Sequence, residues 1–198
     1  MHRIEFYFDC SSPWTYLAFE HALKILPPAR AEIVWKPILV GGVFNTVNPS
    51  VYAARERPVP AKAAYAKKDL QDWARYVGLV IGSPPVFPVN SVKAMRGAFV
   101  ALEHGVLVPY ARSVFRRYWT ELADISQDEV LAACVAEAGL DRADFFARIS
   151  APEYKEKLRA CTDELIARGG FGSPTFFVDG DDMYFGNDRL DLLLHALK

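Results

Sequence analysis

Cysteine is scarce in this chain. Cys10, Cys134 and Cys161 are the whole set, odd in number, widely spaced and without a C-x-x-C pair. That excludes a disulfide framework and points to a reducing compartment. Long apolar runs are missing too, since none approaches the roughly 18 residues of a membrane span. Residues 1–5 read straight into a strand, without the basic, apolar and small-residue succession of a secretory leader, so a cytoplasmic location is expected. Neither sign of charge is in excess. A net charge of −1 gives no global attraction to nucleic acid or to an anionic membrane, and neither partner is expected. His2, His21, His104 and His195 have no metal-ligand spacing with one another or with the cysteines, so no metal is expected. Gly41-Gly42 is not a nucleotide loop, because no G-x-G-x-x-G or G-K-[ST] accompanies it.

Core-forming material is plentiful. The 198 residues are 52% hydrophobic and 24% charged, which suits one compact unit or two intimately joined ones. Thirteen phenylalanines and nine tyrosines exceed what packing alone requires. A flat apolar ligand accounts for some of them, although core filling accounts for any one singly.

Residues 4–8 form an apolar and aromatic strand that breaks at Asp9. A helix then starts with Pro13 at its first position, where the missing N–H costs nothing and the fixed φ is already helical. Ser12 falls at the N-cap, its hydroxyl placed to bond free backbone amides. The amino end of a helix also carries unpaired donors and the positive end of a dipole, so the strand delivers a hydroxyl to an anion site. Pro27-Pro28 ends the helix, and residues 31–36 read as a second strand. Strand, helix and strand in such short compass predict a parallel β-α-β unit. Residues 41–60, with Gly41-Gly42, Asn48-Pro49, Pro58 and Pro60, read as an irregular loop.

Helical spacing follows at 62–77 and, after a rigid loop at 83–88, at 91–104 with Ser91 as its cap. Pro109 starts another helix, and a Ser126-Gln-Asp-Glu129 capping box starts one that ends at Gly139. Asp141 caps a short helix to 149, and a long one runs from Pro152 to Gly169-Gly170. Residues 175–178 and 183–185 read as strands joined by Asp179-Gly180, a type I′ hairpin signal, before a last helix.

This order is that of the thioredoxin fold, an α/β fold, with an all-helical domain inserted. Residues 1–40 and 151–198 form the thioredoxin-like domain and 41–150 the insertion. Ser12-Pro-Trp-Thr15 lies where redox members of the fold carry C-x-x-C. Gly172-Ser173-Pro174 lies immediately before a strand, where the fold places a cis-proline, and Phe185-Gly-Asn-Asp-Arg-Leu190 leads into the last helix. With Lys36-Pro-Ile-Leu-Val-Gly-Gly42 and Phe87-Pro88, these five fragments resemble, over nearly the whole chain, the 2-hydroxychromene-2-carboxylate isomerase and kappa-class glutathione transferase family.

Disulfide exchange needs a thiolate, and Ser12 and Thr15 supply none. A hydroxyl at a helix N-terminus can instead donate to a thiolate brought in by a ligand, and the bond and the dipole both lower that thiol's pKa. The resemblance names the ligand as glutathione; an ordinary N-cap is the alternative role for Ser12. Carried over residue by residue, the family's glutathione anchors fall on Ser12, Asn48, Lys62, Ser173, Phe185, Gly186, Asn187 and Asp188. Asp188 can accept from an ammonium, Asn187 can bond a carboxylate, and Lys62 offers a point charge. The backbone of Ser173 can pair with an extended peptide as a strand would. A hairpin exit with an N-cap explains Asn187 and Asp188 as well, and a solvated first-turn lysine explains Lys62. Trp14, Phe44 and Phe87 are candidates for the apolar wall around a small aromatic substrate, with Arg57 for its carboxylate. Cys10, where the family usually carries an aromatic, reads as a buried strand-end cysteine.

The resemblance therefore implies a glutathione-dependent isomerase. Thiolate addition to a conjugated carbon lets the former double bond rotate, and elimination returns glutathione. A kappa-type transferase, which keeps the conjugate, is the first alternative. A non-catalytic thioredoxin-fold peptide-binding module is the second, and a thiol oxidoreductase using Cys10 alone the third. Family members are commonly dimers, so a homodimer is implied.

Overall fold

A computed structural model describes residues 2–197; Met1 and Lys198, the outer ends of the ranges 1–40 and 151–198, lie outside the described residues. Four strands, β1 (His2–Phe8), β2 (Ala31–Pro37), β3 (Thr175–Val178) and β4 (Asp182–Phe185), form one sheet in the order β2-β1-β3-β4. β1 and β2 are parallel, as the β-α-β reading requires, and are linked through α1 (Pro13–Ile25). β3 and β4 add antiparallel strands on the other side of β1. Between β2 and β3 run α2 (Val40–Val47), α3 (Ser50–Glu56), α4 (Pro60–Val77) and α5 (Val92–Glu103). They are followed by α6 (Leu107–Trp119), α7 (Asp128–Glu137), α8 (Arg142–Ser150) and α9 (Pro152–Ala167), and α10 (Leu190–Ala196) comes last. The architecture is thioredoxin-like, with helices inserted after the second strand.

Period-two alternation splits β1 between two cores. Ile4, Phe6 and Phe8 enter the main cluster, with Phe6 4.4 Å from Phe176 and 5.3 Å from Trp35 between ring centroids. Tyr7 points the other way, into a smaller cluster with Ile38, Val43, Cys161, Leu165 and Phe177. The inserted helices α4 to α8 share the main core. Phe115 of α6 stacks on Tyr16 of α1 at 5.0 Å and meets Phe19 at 5.3 Å, which fixes the amino half of α1 against the insertion. All three cysteines are free and buried.

Five expectations are corrected. Residues 41–60 are not an irregular loop but contain α2 and α3. The low helix propensity of Gly41-Gly42 is outweighed by tertiary anchoring: the Val40 amide donates to Asp9 Oδ2 at 2.8 Å and the Leu39 amide to Thr162 Oγ1 at 3.0 Å. Ser91 stands at the N-cap of α5, yet its hydroxyl donates to Asp9 Oδ2 at 3.1 Å instead of capping. Gln127, not Ser126, is the N-cap of α7. Asp124 takes the Ser126 amide at 2.9 Å in a local turn, and Glu129 pairs with Arg142, so no capping box closes. The β3–β4 connection holds three residues, since Val178 faces Asp182; Asp179 and Gly180 both have positive φ, 45° and 128°. The Asp179 carboxylate accepts from the Arg3 amide at 2.7 Å, which ties that corner to β1. Asp141 does cap α8, accepting from the Asp144 amide at 2.8 Å, and α6 begins at Leu107, two residues before Pro109.

Candidate active site

The amino end of α1 is built by its own sequence. Ser12 is extended (φ −108°, ψ 124°), Pro13 enters the helix without an N–H, and Ser12 Oγ accepts from the Thr15 amide at 3.3 Å. The same hydroxyl donates to the Ser173 carbonyl at 3.4 Å. Both contacts are long for hydrogen bonds to oxygen, so a better acceptor can redirect the hydroxyl. Ser173–Pro174 is a cis peptide, as the fold resemblance requires, and Phe87–Pro88 is a second one. Thr15, at the other position of the missing dithiol, is fully buried. Its Oγ1 lies 2.8 Å from Ser173 Oγ, which also accepts from the Asp9 amide at 3.1 Å. Thr15 is thus a structural partner of the cis-proline turn and has no access to a ligand.

Below this turn lies a carboxylate that the sequence reading passed over as a strand end. Asp9 is completely buried. Oδ1 accepts from the Ser11 amide at 2.9 Å, and Oδ2 accepts from Val40 and Ser91, so one side chain ties β1, the α1 entry, α2 and α5 together. Desolvation by burial raises its pKa against the pull of those donors. The signal was available: a charged residue directly between an apolar strand and a helix start has to find partners indoors.

A cleft opens beside Ser173. Six of the sequence candidates line it: Trp14, Ser173, Phe185, Gly186, Asn187 and Asp188, together with Pro174. Two further lining residues, Asp69 and Trp73, come from α4 and are not among the sequence candidates. Asn187 is buried, and among the described residues its Nδ2 has no hydrogen-bond partner. An orphaned buried donor costs about 1–3 kcal/mol, a cost that an acceptor bound in the cleft would relieve if the side chain turned its amide outward. Gly186 has φ 109°, and a Cβ there would lie 2.6 Å from Asp188 Oδ1. A Cβ at Gly172 would lie 2.8 Å from Phe185 Cε2, so glycine lets that ring close on the turn.

Asp188 is not a helix cap. It sits inside a 3-10 turn, Asn187–Arg189, that delays α10 until Leu190, and its carboxylate pairs with Arg189 at 2.6 Å. The hairpin-exit-and-cap alternative therefore loses its physical basis at this residue. The remaining candidates lie outside the cleft lining. Asn48 ends α2, where its Nδ2 donates to the Phe171 carbonyl at 3.2 Å. Lys62 is exposed in the first turn of α4, seven and eleven residues before Asp69 and Trp73 and so on their helix face. Phe44 approaches Gly172, Phe87 lies 6.1 Å from Trp119, and Arg57 is exposed at the end of α3. Cys10 is buried, and burial pushes its thiol well above the ordinary range, which leaves it unsuited to redox exchange.

The sheet order, the cis-proline turn and the hydroxyl at the head of α1 define a thioredoxin-fold protein without a redox pair. A family model described as DSBA-like thioredoxin domain matches residues 3–198, and the chain belongs to that family. Within it, the chain is 34% identical to a 2-hydroxychromene-2-carboxylate isomerase from Pseudomonas putida, over 98% of this chain and 93% of the relative. It is 27% identical to glutathione S-transferase kappa 1 of Homo sapiens, over 98% and 90% of the two chains. A solved 2-hydroxychromene-2-carboxylate isomerase superposes with a TM-score of 0.83 at 29% identity, covering 98% of this chain and 94% of the other. A probable DsbA oxidoreductase from Streptomyces coelicolor, at 21% identity and a TM-score of 0.78 over 100% and 88% of the chains, shares the fold. Both kinds of curated relative are enzymes, and this chain is an enzyme of the same isomerase and kappa-transferase-like group.

Proposed function

We propose that the chain is a glutathione-dependent isomerase of the 2-hydroxychromene-2-carboxylate type, with Ser12 stabilising the glutathione thiolate at the head of α1. The observation that carries this reading is the loosely held Ser12 hydroxyl beside a cleft that contains an unpartnered buried amide, that of Asn187. Glutathione supplies the nucleophilic sulfur when bound. Ser12 turns its hydroxyl from the Ser173 carbonyl to that sulfur, and the amino end of α1 favours the anion there. The Asn187 amide takes a carboxylate, Asp188 the ammonium, and the backbone of Ser173 pairs with the tripeptide. Lys62, on the Asp69 face of α4, supplies a charge for the second carboxylate, and Asn48 holds the Phe171 segment that backs the site. Trp14, Phe44 and Phe87 shield a small aromatic substrate from water. A homodimer in the cytoplasm belongs to the same reading.

Glutathione at about a hundredfold over its Kd adds roughly 2.7 kcal/mol to the native state. For a chain of this length that raises the Tm by about 5–10 °C. Isomerisation of 2-hydroxychromene-2-carboxylate is expected only when glutathione is present. An unchanged melting curve with glutathione-independent turnover would count against the reading. The same thiolate serves a kappa-type transferase, a second reading favoured by the 27% identity to the human enzyme. Accumulation of a conjugate from a chloro-nitrobenzene, without turnover of the chromene, selects it.

Asp188→Asn tests the ammonium contact. Because Asp188 makes no capping bond, the variant is expected to melt as wild type does while its KM for glutathione rises several-fold. A wild-type KM would remove Asp188 from the site.

A further inference from the structure

Arginines in this structure mostly meet carboxylates: Arg112 meets Glu20, Arg148 meets Glu103 and Asp144, and Arg168 meets Glu5. Arg55, on the last turn of α3, does not. Among the described residues it makes no ion pair and no side-chain hydrogen bond, and its charge centre instead lies over two aromatic rings, 5.6 Å from the Phe44 centroid and 5.3 Å from that of Phe87. Each ring is tied through its own contacts to a different segment next to Ser12. Phe44, from α2, reaches Gly172, the neighbour of Ser173; Phe87 packs on Trp119, whose indole donates to the Cys10 carbonyl at 2.9 Å, two residues before Ser12. A guanidinium over ring faces is attracted by their quadrupoles, while its N–H donors keep their hydrogen-bonding capacity for a planar anion.

We propose that Arg55, held between Phe44 and Phe87, recognises the carboxylate of the aromatic substrate and sets the preference for carboxylated over neutral aromatics. The inference rests on the isomerase reading and deepens it, assigning to Arg55 the contact that sequence reasoning gave to Arg57. Phe44 and Phe87 then do two jobs: they wall the substrate ring and hold the cation that reads its charge. Arg57, two residues on, has no such ring contact among the described residues.

The test is calorimetric binding of coumarin-3-carboxylate and of coumarin, which share a ring system and differ in the carboxylate, to wild type, Arg55→Gln, Arg55→Lys and Arg57→Gln. Wild type is expected to prefer the carboxylate by roughly ten- to a hundredfold, the range of a charge-assisted pair. Arg55→Gln should erase that preference while leaving the affinity for coumarin and for glutathione unchanged, and Arg55→Lys should keep part of it. A preference that survives in Arg55→Gln, or that is lost in Arg57→Gln instead, overturns the assignment. So does weakened glutathione binding in Arg55→Gln, which would make Arg55 an anchor for the tripeptide. Wild type that discriminates the coumarins but binds no glutathione would retain the Arg55 assignment and refute the glutathione mechanism.

Discussion

Ser12→Ala is expected to lower turnover at neutral pH by about ten- to a hundredfold while changing glutathione affinity far less. The hydroxyl makes two long contacts, accepting from the Thr15 amide and donating to the Ser173 carbonyl, and only the donated bond has to be given up for a thiolate. A hydrogen bond to a charged group contributes roughly 1.5–3 kcal/mol, which sets the size of the rate loss. Removal of the cap costs about 1 kcal/mol of stability and is measured separately by denaturation. Ser12→Cys should part company with alanine. A thiol at a helix N-terminus acidifies, so in that variant the thiolate attacks oxidised glutathione, forms a mixed disulfide and releases one glutathione thiolate. Mass spectrometry reads the adduct. A variant at position 12 with wild-type rates would reduce Ser12 to a helix cap.

Asp9→Ala should be the most destabilising single change near the site, on the order of 4 kcal/mol. It strands three donors, the Ser11 and Val40 amides and the Ser91 hydroxyl, at a fully buried position. Because these donors belong to the α1 entry, α2 and α5, activity of the residual folded protein should fall as well. Asp9→Asn keeps the shape but turns an NH2 towards at least one of those donors, so it costs about 2 kcal/mol. The pH dependence has a defined sign. Burial raises the Asp9 pKa above its ordinary value of 3.8, so the native protein takes up this proton at a higher pH than the unfolded chain does. The contribution of Asp9 is therefore fully present below the unfolded value and is lost as pH rises through the raised native one. The stability advantage of wild type over Asp9→Asn should narrow across that window. Urea denaturation at several pH values checks it, and an advantage that grows with pH would mean that the three donors outweigh desolvation.

Much of this is legible in the amino-acid sequence alone, for local reasons. Pro13 fixes where α1 starts, Pro27-Pro28 where it stops, and Ser12 follows as its cap; these are rules of neighbouring residues. Gly172-Ser173-Pro174 announced its turn in the same way. What escaped was set by distant partners. Nothing near Gly41-Gly42 favours a helix, and α2 forms because Asp9 and Thr162 hold its first amides. Ser91 looked like a cap because its spacing was right, but Asp9, across 82 positions, claimed its hydroxyl. Asp69 and Trp73 share one face of α4, yet periodicity cannot say whether a face meets a core or a cleft. Sequence pattern does not show which of Arg55 and Arg57 meets an aromatic ring; the placement of Phe44 and Phe87 does.

The most direct test of the central claim is the ultraviolet absorbance of the glutathione thiolate in the bound complex, followed against pH for wild type and Ser12→Ala. The thiolate mechanism predicts a wild-type midpoint clearly below that of free glutathione and a midpoint in Ser12→Ala shifted back towards it by about one to two pH units, the equivalent of one charge-assisted hydrogen bond. A wild-type complex that titrates with free glutathione, or two proteins with the same midpoint, would contradict it.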